Sequence, residues 1–309
     1  MSERKFVARQ KELFSLFAKG NMKDALLLVQ RIKTEFPERL DKIFFWEACV
    51  YATERNNDKA VAVLKEGLKK GIWWNPAILT ADPDLQHIQA HNEFKEIVET
   101  CEDIFYSQKK GASPELFIYG DSRSDIGLFS IHARGTNVKD SVPYWLNETG
   151  EDPYLLGFPQ SSQIFGYNAY CWDDEETAIN ELEQAYKEFK GHFQPKSIIA
   201  GGASQGGKLS IEFSLRNAPQ DIKGFIAVMP AIKDVAVLEA LLKEKNHANL
   251  KGYIIIGDQD PFYKNTLELI RLLEANHVDC KLIVKEGLGH FFPEDFSALL
   301  PEAVEFILS

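Results

Sequence analysis

Long apolar runs and clustered cysteines are both absent from this chain of 309 residues. No apolar run approaches the ~18 residues of a membrane-spanning helix, and the opening MSERKFVARQ has no apolar segment typical of a secretory signal. Four cysteines lie far apart, in no spacing typical of a metal site: Cys49, Cys101, Cys171 and Cys280. We therefore expect a cytoplasmic protein with reduced thiols, no metal site and no membrane span, in which the glycosylation sequon NET at 147–149 is unused.

Positive charge is also scarce, since 35 Lys and Arg stand against 46 Asp and Glu and the net charge is -11. Residues 1–107 carry 16 basic and 17 acidic side chains, so residues 108–309 hold -10 of that total. Nucleic acids and anionic membrane surfaces both bind clustered Lys and Arg. The charge balance therefore argues against either as a partner.

The first hundred residues have the apolar period of amphipathic helices, as in Ala25, Val29 and Ile32 before Pro37. GNMKDALLLVQRI recurs as NNDKAVAVLKEGL at an offset of 35 residues. This segment resembles tetratricopeptide repeats, whose period is about 34 residues. We predict a helical-repeat domain over 1–107, with a plain helical bundle as the alternative, and a linker over 108–113.

Short apolar runs replace the helical rhythm from residue 114 to residue 309. The runs are LFIYG, GLFSIHA, YLLGFP, SIIAGG, GFIAVMP, GYIIIGD and KLIVKEG. From residue 172 onward they alternate with helix-like stretches, which predicts an α/β fold with a mostly parallel, doubly wound sheet. The first two runs are joined without a helix, so we expect them to begin the sheet as an antiparallel pair.

The glycine cluster around Ser204 fits two motifs. GASQGGKL nearly matches the nucleotide-binding loop G-x-x-x-x-G-K-[ST], but Leu209 stands where that loop needs a Mg²⁺-binding hydroxyl. GASQG matches G-x-S-x-G, in which a serine nucleophile sits on a sharp turn between strand and helix. Local sequence alone does not choose between them.

Residues further along the chain favour the nucleophile. An acid and a histidine should follow the serine in that order, each after a strand, and GYIIIGDQD and KLIVKEGLGH supply them. His290 would take the proton of Ser204, and a carboxylate would fix the imidazole tautomer. We assign that carboxylate to Asp260, three residues beyond Gly257, and a turn role to Asp258.

The second half resembles the phospholipase/carboxylesterase family of α/β-hydrolases, which includes acyl-protein thioesterases. The resemblance covers about residues 114–309 and is carried by HARGTN, GFPQSSQ, CWDDEE, GGASQGGKLS, GDQDP and GLGH. It implies the α/β-hydrolase fold, a triad of Ser204, Asp260 and His290, and oxyanion N–H groups from Gln205 and Arg134. Ala133 departs from the family, which usually has Gly there, and His132 is expected to be structural. Trp172 and Phe291 are candidates to line an apolar acyl pocket, with core packing as the alternative.

These observations predict a serine hydrolase that cleaves a small-molecule carboxylic ester or thioester through an acyl-enzyme, without cofactor or metal. A serine peptidase of related fold is one alternative. The other is an adaptor in which the helical domain binds a protein partner and the hydrolase domain is vestigial.

Overall fold

The computed structural model describes residues 2–146, 153–217, 222–244, 246–247 and 249–309. The chain divides into a helical unit, Met1–Ala112 with Ile164–Asn168, and a sheet unit, Ser113–Gln163 with Ala169–Ser309. The sequon at 147–149 lies outside the described residues. Within those residues, no helix combines the length and the apolarity needed to cross a membrane.

The described residues of the helical unit contain six α-helices and two 3-10 turns, at Pro37–Arg39 and Pro83–Ile88. Its helices are α1 (Ser2–Ala18), α2 (Met22–Glu35), α3 (Leu40–Thr53), α4 (Asn57–Lys69), α5 (Pro76–Ala81) and α6 (Asn92–Gly111). The two repeated sequence segments form α2 and α4, and their equivalent small residues Ala25 and Ala60 are both fully buried. A residue without a long side chain lets neighbouring helices approach closely, which explains the alanine at both positions.

Helix α6 extends further than the sequence suggests. A linker is predicted over 108–113, but α6 continues to Gly111. Lys109 and Lys110 lie in its last turn, where positive charge interacts favourably with the helix dipole. Only Ala112, Ser113 and Pro114 separate this helix from the first strand.

The helical unit also includes a short segment from the second half of the chain. Strand β4 (Ile164–Gly166) belongs to it, and Ile164 and Tyr167 pack against its hydrophobic core. The amide of Asn75 donates a hydrogen bond of 2.8 Å to the Phe165 carbonyl. No feature of the sequence predicts this placement, because the contacts join positions about 90 residues apart.

The sheet unit contains a seven-stranded sheet and six helices among its described residues. The strands of the sheet are β1 (Glu115–Gly120), β2 (Ile126–Ile131), β3 (Leu155–Gln160), β6 (Ser197–Ala203), β7 (Ile222–Val228), β8 (Lys251–Gly257) and β9 (Asp279–Lys285). The remaining elements are α7 (Val138–Trp145), β5 (Ala169–Tyr170), α8 (Glu175–Phe193), α9 (Gln205–Asn217), α10 (Ala236–Glu244), α11 (Tyr263–Ala275) and α12 (Phe296–Leu308). All seven apolar runs noted in the sequence are strands of this sheet.

The order of strands is β1-β3-β2-β6-β7-β8-β9, and every pair is parallel except β1 with β3. The expectation that β1 and β2 pair with each other is therefore wrong. Strand β2 is buried along almost all of its length, so it needs a partner on both sides and lies between β3 and β6. Strand β1 is only partly buried, as suits the edge of a sheet.

Alternate residues of the strands face two helical layers. Leu128 and Ile199 pack with α7 and α12, whereas Phe129 and Ala200 pack with α8 and α9. Helices therefore cover both faces, as the doubly wound pattern predicts. The parallel register aligns the carboxyl ends of the central strands, so the segments that follow β2, β6, β8 and β9 emerge at one edge of the sheet.

Candidate active site

Ser204 occupies the turn between β6 and α9 with a φ of +54°. This left-handed backbone is costly for a residue with a side chain and persists only where its surroundings enforce it. Here the Ser204 N–H donates to the Val228 carbonyl at 2.9 Å, and its own carbonyl accepts from the N–H groups of Lys208 and Ala231. The turn is thus held from β7 as well as from its own helix.

The glycines beside Ser204 are required by close backbone approach. A Cβ on Gly202 would collide with the Gly206 carbonyl, and one on Gly206 would collide with the carbonyls of Ile131 and His132. The first turn of α9 therefore lies directly against the segment that follows β2. Lys208, the lysine of the alternative nucleotide-loop motif, instead forms ion pairs with Glu212 at 2.7 Å and Glu175 at 3.6 Å.

His290 is hydrogen-bonded through both ring nitrogens. Its Nε2 lies 2.8 Å from Ser204 Oγ, and its Nδ1 lies 2.7 Å from Asp260 Oδ2. The Asp260 side chain is fully buried, and its other oxygen accepts from the Phe262 N–H at 2.8 Å. The three residues chosen from sequence order thus form one continuous hydrogen-bonded chain, with serine and carboxylate on opposite sides of the imidazole.

Asp258 makes different contacts. Its Oδ1 accepts from the Gly287 N–H at 2.8 Å and from the Gln259 side chain at 3.3 Å. These bonds tie the turn after β8 to the turn after β9. The carboxylate therefore stabilises the two loops that present Asp260 and His290.

Aromatic rings hold the loop that carries His290. Phe262 lies edge-on to the imidazole with 5.4 Å between ring centroids. Two residues beyond His290, Phe292 stacks on Tyr144 of α7 at 4.0 Å. Phe291, between these positions, is half-buried beside the histidine, and its pocket role stays a prediction.

The two residues proposed to provide oxyanion N–H groups meet at one carboxylate. The Arg134 guanidinium donates to both oxygens of Asp173 at 2.8 and 2.7 Å, and Gln205 Nε2 donates to Asp173 Oδ1 at 2.9 Å. The hydrogen bond from Arg134 is the main reason that the pKa of Asp173 is lowered, so this carboxylate stays charged. Gln205 also accepts from the Trp172 N–H, and as the first residue of α9 its own N–H precedes the helical hydrogen-bond ladder.

His132 is buried and neutral. Burial lowers its pKa to about 4, and its Nδ1 lies 2.9 Å from the Ala133 carbonyl. The ring of Trp172 lies 4.8 Å from the imidazole, and its Nε1 donates to the His132 carbonyl at 3.1 Å. Trp172 is only 2% exposed, which favours core packing over the predicted contact with substrate.

Sequence reasoning missed three polar residues of this region: Thr136, Gln160 and Asp173. Gln160 lies in GFPQSSQ and Asp173 in CWDDEE, two segments that carry the family resemblance but suggest no role by themselves. Gln160 and Asp173 contact partners 28 and 39 positions away in sequence, which are His132 and Arg134. Only the folded chain brings these groups together.

A possible metal-binding group occurs in the helical unit, where ligand atoms of Cys49, Asp82 and Asp84 lie within 4.8 Å of one another. Burial, reinforced by the two carboxylates, raises the pKa of the Cys49 thiol well above its ordinary value. A metal ligand must be a thiolate, so this environment disfavours the required form. Asp82 already accepts from the Asp84 N–H as the cap of a 3-10 turn, which accounts for its position.

Comparisons with known proteins concern the N-terminal segment and the fold of the chain. Residues 6–108 match the family described as A/B hydrolase-like, N-terminal domain. An uncharacterized protein from Bacillus cereus ATCC 10987 is 27% identical, with 98% of this chain and 99% of that chain covered and a TM-score of 0.54. A search of the curated proteins found no match.

Two solved structures of named enzymes resemble about two thirds of the chain. Acyl-protein thioesterase 2 from Zea mays is 12% identical and covered completely by 64% of this chain, with a TM-score of 0.51. Esterase PE8 is 21% identical and 99% covered by 62% of this chain, with a TM-score of 0.50. At these identities the likeness concerns the fold. The sheet order, the turn at Ser204 and these matches show that the chain has the α/β-hydrolase fold, which confirms the predicted fold class.

Proposed function

We propose that this protein is a serine hydrolase that cleaves a carboxylic ester or thioester through an acyl-enzyme on Ser204. The observation that carries the proposal is His290, whose two ring nitrogens lie 2.8 Å from Ser204 Oγ and 2.7 Å from Asp260 Oδ2. Because these groups already lie within hydrogen-bond distance, the proton can be transferred during attack without prior rearrangement of the side chains.

In the first step, Ser204 Oγ attacks the acyl carbon while His290 Nε2 takes the hydroxyl proton. Asp260 accepts from Nδ1–H, which keeps Nε2 as the unprotonated nitrogen before attack and stabilises the imidazolium afterwards. The tetrahedral intermediate collapses as His290 returns the proton to the leaving alkoxide or thiolate. Water then attacks the acyl-enzyme by the same route, with His290 as base.

Negative charge on the former carbonyl oxygen needs N–H donors in place before the reaction begins. We assign them to Gln205 and Arg134. Gln205 begins α9 immediately after the nucleophile, so its N–H and the helix dipole face the developing charge. Support for Arg134 is the contact between Gly206 and the segment that follows β2, which brings this loop against the turn that carries Ser204.

The substrate class rests on the family resemblance and on the names of the two similar structures, an esterase and an acyl-protein thioesterase. We propose a small-molecule ester or thioester for this chain, with the helical unit as a surface for a protein partner. Turnover of p-nitrophenyl esters, an acyl thioester and a peptide anilide should be measured side by side. Hydrolysis of the anilide alone would replace the esterase proposal with a peptidase.

Labelling with a fluorophosphonate probe tests the nucleophile. We expect Ser204 to be labelled rapidly, and Ser204→Ala to lose both labelling and ester hydrolysis. Ser197→Ala, at the opposite end of the same strand, is the matched control and should retain both. Labelling that persists in Ser204→Ala would refute the assignment.

A further inference from the structure

The Ala133 carbonyl accepts two hydrogen bonds from its own loop. His132 Nδ1 lies 2.9 Å from this oxygen, and Thr136 Oγ1 lies 2.7 Å from it. A carbonyl oxygen has two lone pairs, so both acceptor positions are occupied. The orientation of the peptide unit between Ala133 and Arg134 is therefore defined at its oxygen end.

The tautomer of His132 follows from its other nitrogen. The Ser161 backbone N–H points at His132 Nε2 from 3.3 Å, and a backbone N–H can only donate. Nε2 is therefore the acceptor, and in the neutral ring the proton resides on Nδ1. His132 must then donate to the Ala133 carbonyl.

Gln160 reinforces the same arrangement. Its Oε1 accepts from the Val138 N–H at 2.9 Å, which turns its amide nitrogen toward His132 Nε2 at 3.1 Å. Two N–H donors thus converge on one nitrogen of a buried ring. Together these two donors fix the direction in which Nδ1–H points.

A trans peptide unit is planar, and its C=O and N–H point in opposite directions. Fixing the Ala133 oxygen consequently fixes the Arg134 N–H. If this peptide rotated by half a turn, a carbonyl oxygen would face the developing oxyanion and repel it. Two hydrogen bonds would be lost in that rotation, so the present arrangement opposes it.

We propose that Thr136 and His132 are positioning residues that aim the Arg134 N–H at the oxyanion of the tetrahedral intermediate. This inference rests on the proposed serine-hydrolase function and adds two residues that do not contact the reacting atoms. It assigns a role to the hydroxyl of Thr136, which no sequence motif indicated.

The rest of the loop is held independently of that hydroxyl. The Tyr170 N–H donates to the Thr136 carbonyl at 2.9 Å, and the Gly135 N–H donates to the Tyr170 carbonyl at 2.8 Å. Trp172 Nε1 donates a hydrogen bond to the His132 carbonyl. Removing the hydroxyl should therefore leave the loop in place and loosen only the Ala133–Arg134 peptide, whose carbonyl would keep the single bond from His132.

The test is Thr136→Val in the full-length protein, with kcat and KM measured on a p-nitrophenyl ester. Removal of a whole oxyanion donor costs about 100-fold or more in kcat, so a misdirected donor should cost about 10-fold with KM within about 2-fold. The inhibition constant of an alkyl trifluoromethyl ketone, which forms a tetrahedral oxyanion on the serine, should rise by a similar factor. Thr136→Ser restores the hydroxyl and should bring both quantities back to within about 3-fold of the wild type.

Thr100→Val is the matched control, because it deletes a hydroxyl bonded to a backbone carbonyl at an exposed position of α6. It should change neither kcat nor the inhibition constant.

If Thr136→Val does not fold, Thr136→Ala is measured in its place. A folded variant without the hydroxyl that keeps wild-type kcat and inhibitor affinity would overturn the positioning role while fluorophosphonate labelling of the wild type stands. Failure of the wild type to label would overturn the proposed function, and this inference with it.

Discussion

The helical unit and the sheet unit treat polar side chains in opposite ways. Among the described residues, the helical unit fully buries one charged side chain, Glu47, whereas the sheet unit buries a dozen polar or charged ones. Those of the sheet unit include His132, Gln160 and Asp260, which converge at the candidate active site. Burying polar groups costs free energy unless each has a partner, so these three side chains depend on the hydrogen bonds described above.

One buried acid from each unit, Glu47 and Asp260, shows how different the partners of a buried carboxylate can be. Glu47 accepts from Lys33 at 2.8 Å and from Gln30 at 2.7 Å, so its charge is neutralised by a fixed cation. Asp260 has instead a histidine and a backbone N–H as partners. The first arrangement stabilises a helix pair, and the second leaves the imidazole of the proposed triad in contact with the carboxylate.

The largest effect on kcat is expected from substitution of Asp260, and not from substitution of Glu47. Asp260→Asn should lower kcat by roughly 10⁴-fold, because an amide at this position favours the wrong imidazole tautomer. It should change stability little, since the Phe262 N–H keeps an acceptor. Kinetics on one ester, with folding checked by circular dichroism, measure both.

Two controls accompany that variant. Glu47→Gln should leave kcat unchanged but lower the free energy of unfolding by about 1–3 kcal/mol, because it removes the negative charge that neutralises Lys33. Asp258→Asn should cost about 10-fold or less in kcat, since its oxygen still accepts from the Gly287 N–H. If Asp258→Asn is the crippling change, Asp260 is not the acid.

Glycine substitutions provide the next test of the comparison. Gly206→Ala places a methyl group against the carbonyls of Ile131 and His132, so we expect about 100-fold lower kcat and a loss of about 2–3 kcal/mol in stability. Gly111→Ala, at the end of α6, meets nothing within 4 Å and should be neutral. If alanine leaves kcat and stability unchanged at both glycines, the first turn of α9 does not pack against the loop after β2 as described.

Acid should affect the sheet unit through His132. The unfolded chain has a histidine with the ordinary pKa of 6.5, whereas the folded ring has a pKa of about 4, so only the unfolded state binds a proton in between. The free-energy cost of keeping His132 neutral is absent above pH 6.5. As the pH falls to 4, it lowers the free energy of unfolding by up to about 3 kcal/mol. Hydrogen exchange of peptides from each unit should show the loss in the sheet unit, and His132→Asn should remove that part of the pH dependence.

The smallest expected effect on turnover is that of removing the helices. A chain beginning at Ser113 should hydrolyse a small soluble ester with kcat within about 3-fold of the full chain, because the proposed catalytic groups all belong to the sheet unit. It should be less soluble, since Ile164 and Tyr167 lose the core against which they pack. A folded but inactive truncated chain would show that the helical unit takes part in catalysis.

Local sequence was sufficient to predict most of the secondary structure. Alternating apolar runs and helical stretches predicted all seven strands of the sheet, since strand formation depends on the period of apolar side chains along the chain. The order of Ser204, Asp260 and His290 was readable for a related reason. Parallel strands align their carboxyl ends, so residues that follow different strands meet at one edge.

Strand pairing and the details of the candidate site depend on contacts between residues that are not neighbours in sequence. The sequence alone determined which residues form strands and helices and where polar groups follow strands, because these properties depend on neighbours a few positions apart. Only the tertiary structure decided that β1 pairs with β3, that Ile164–Asn168 belongs to the helical unit, and that Trp172 packs against His132. It also decided that Thr136 and His132 share one carbonyl, since a hydrogen bond depends on direction and distance in the folded chain, which no local period encodes.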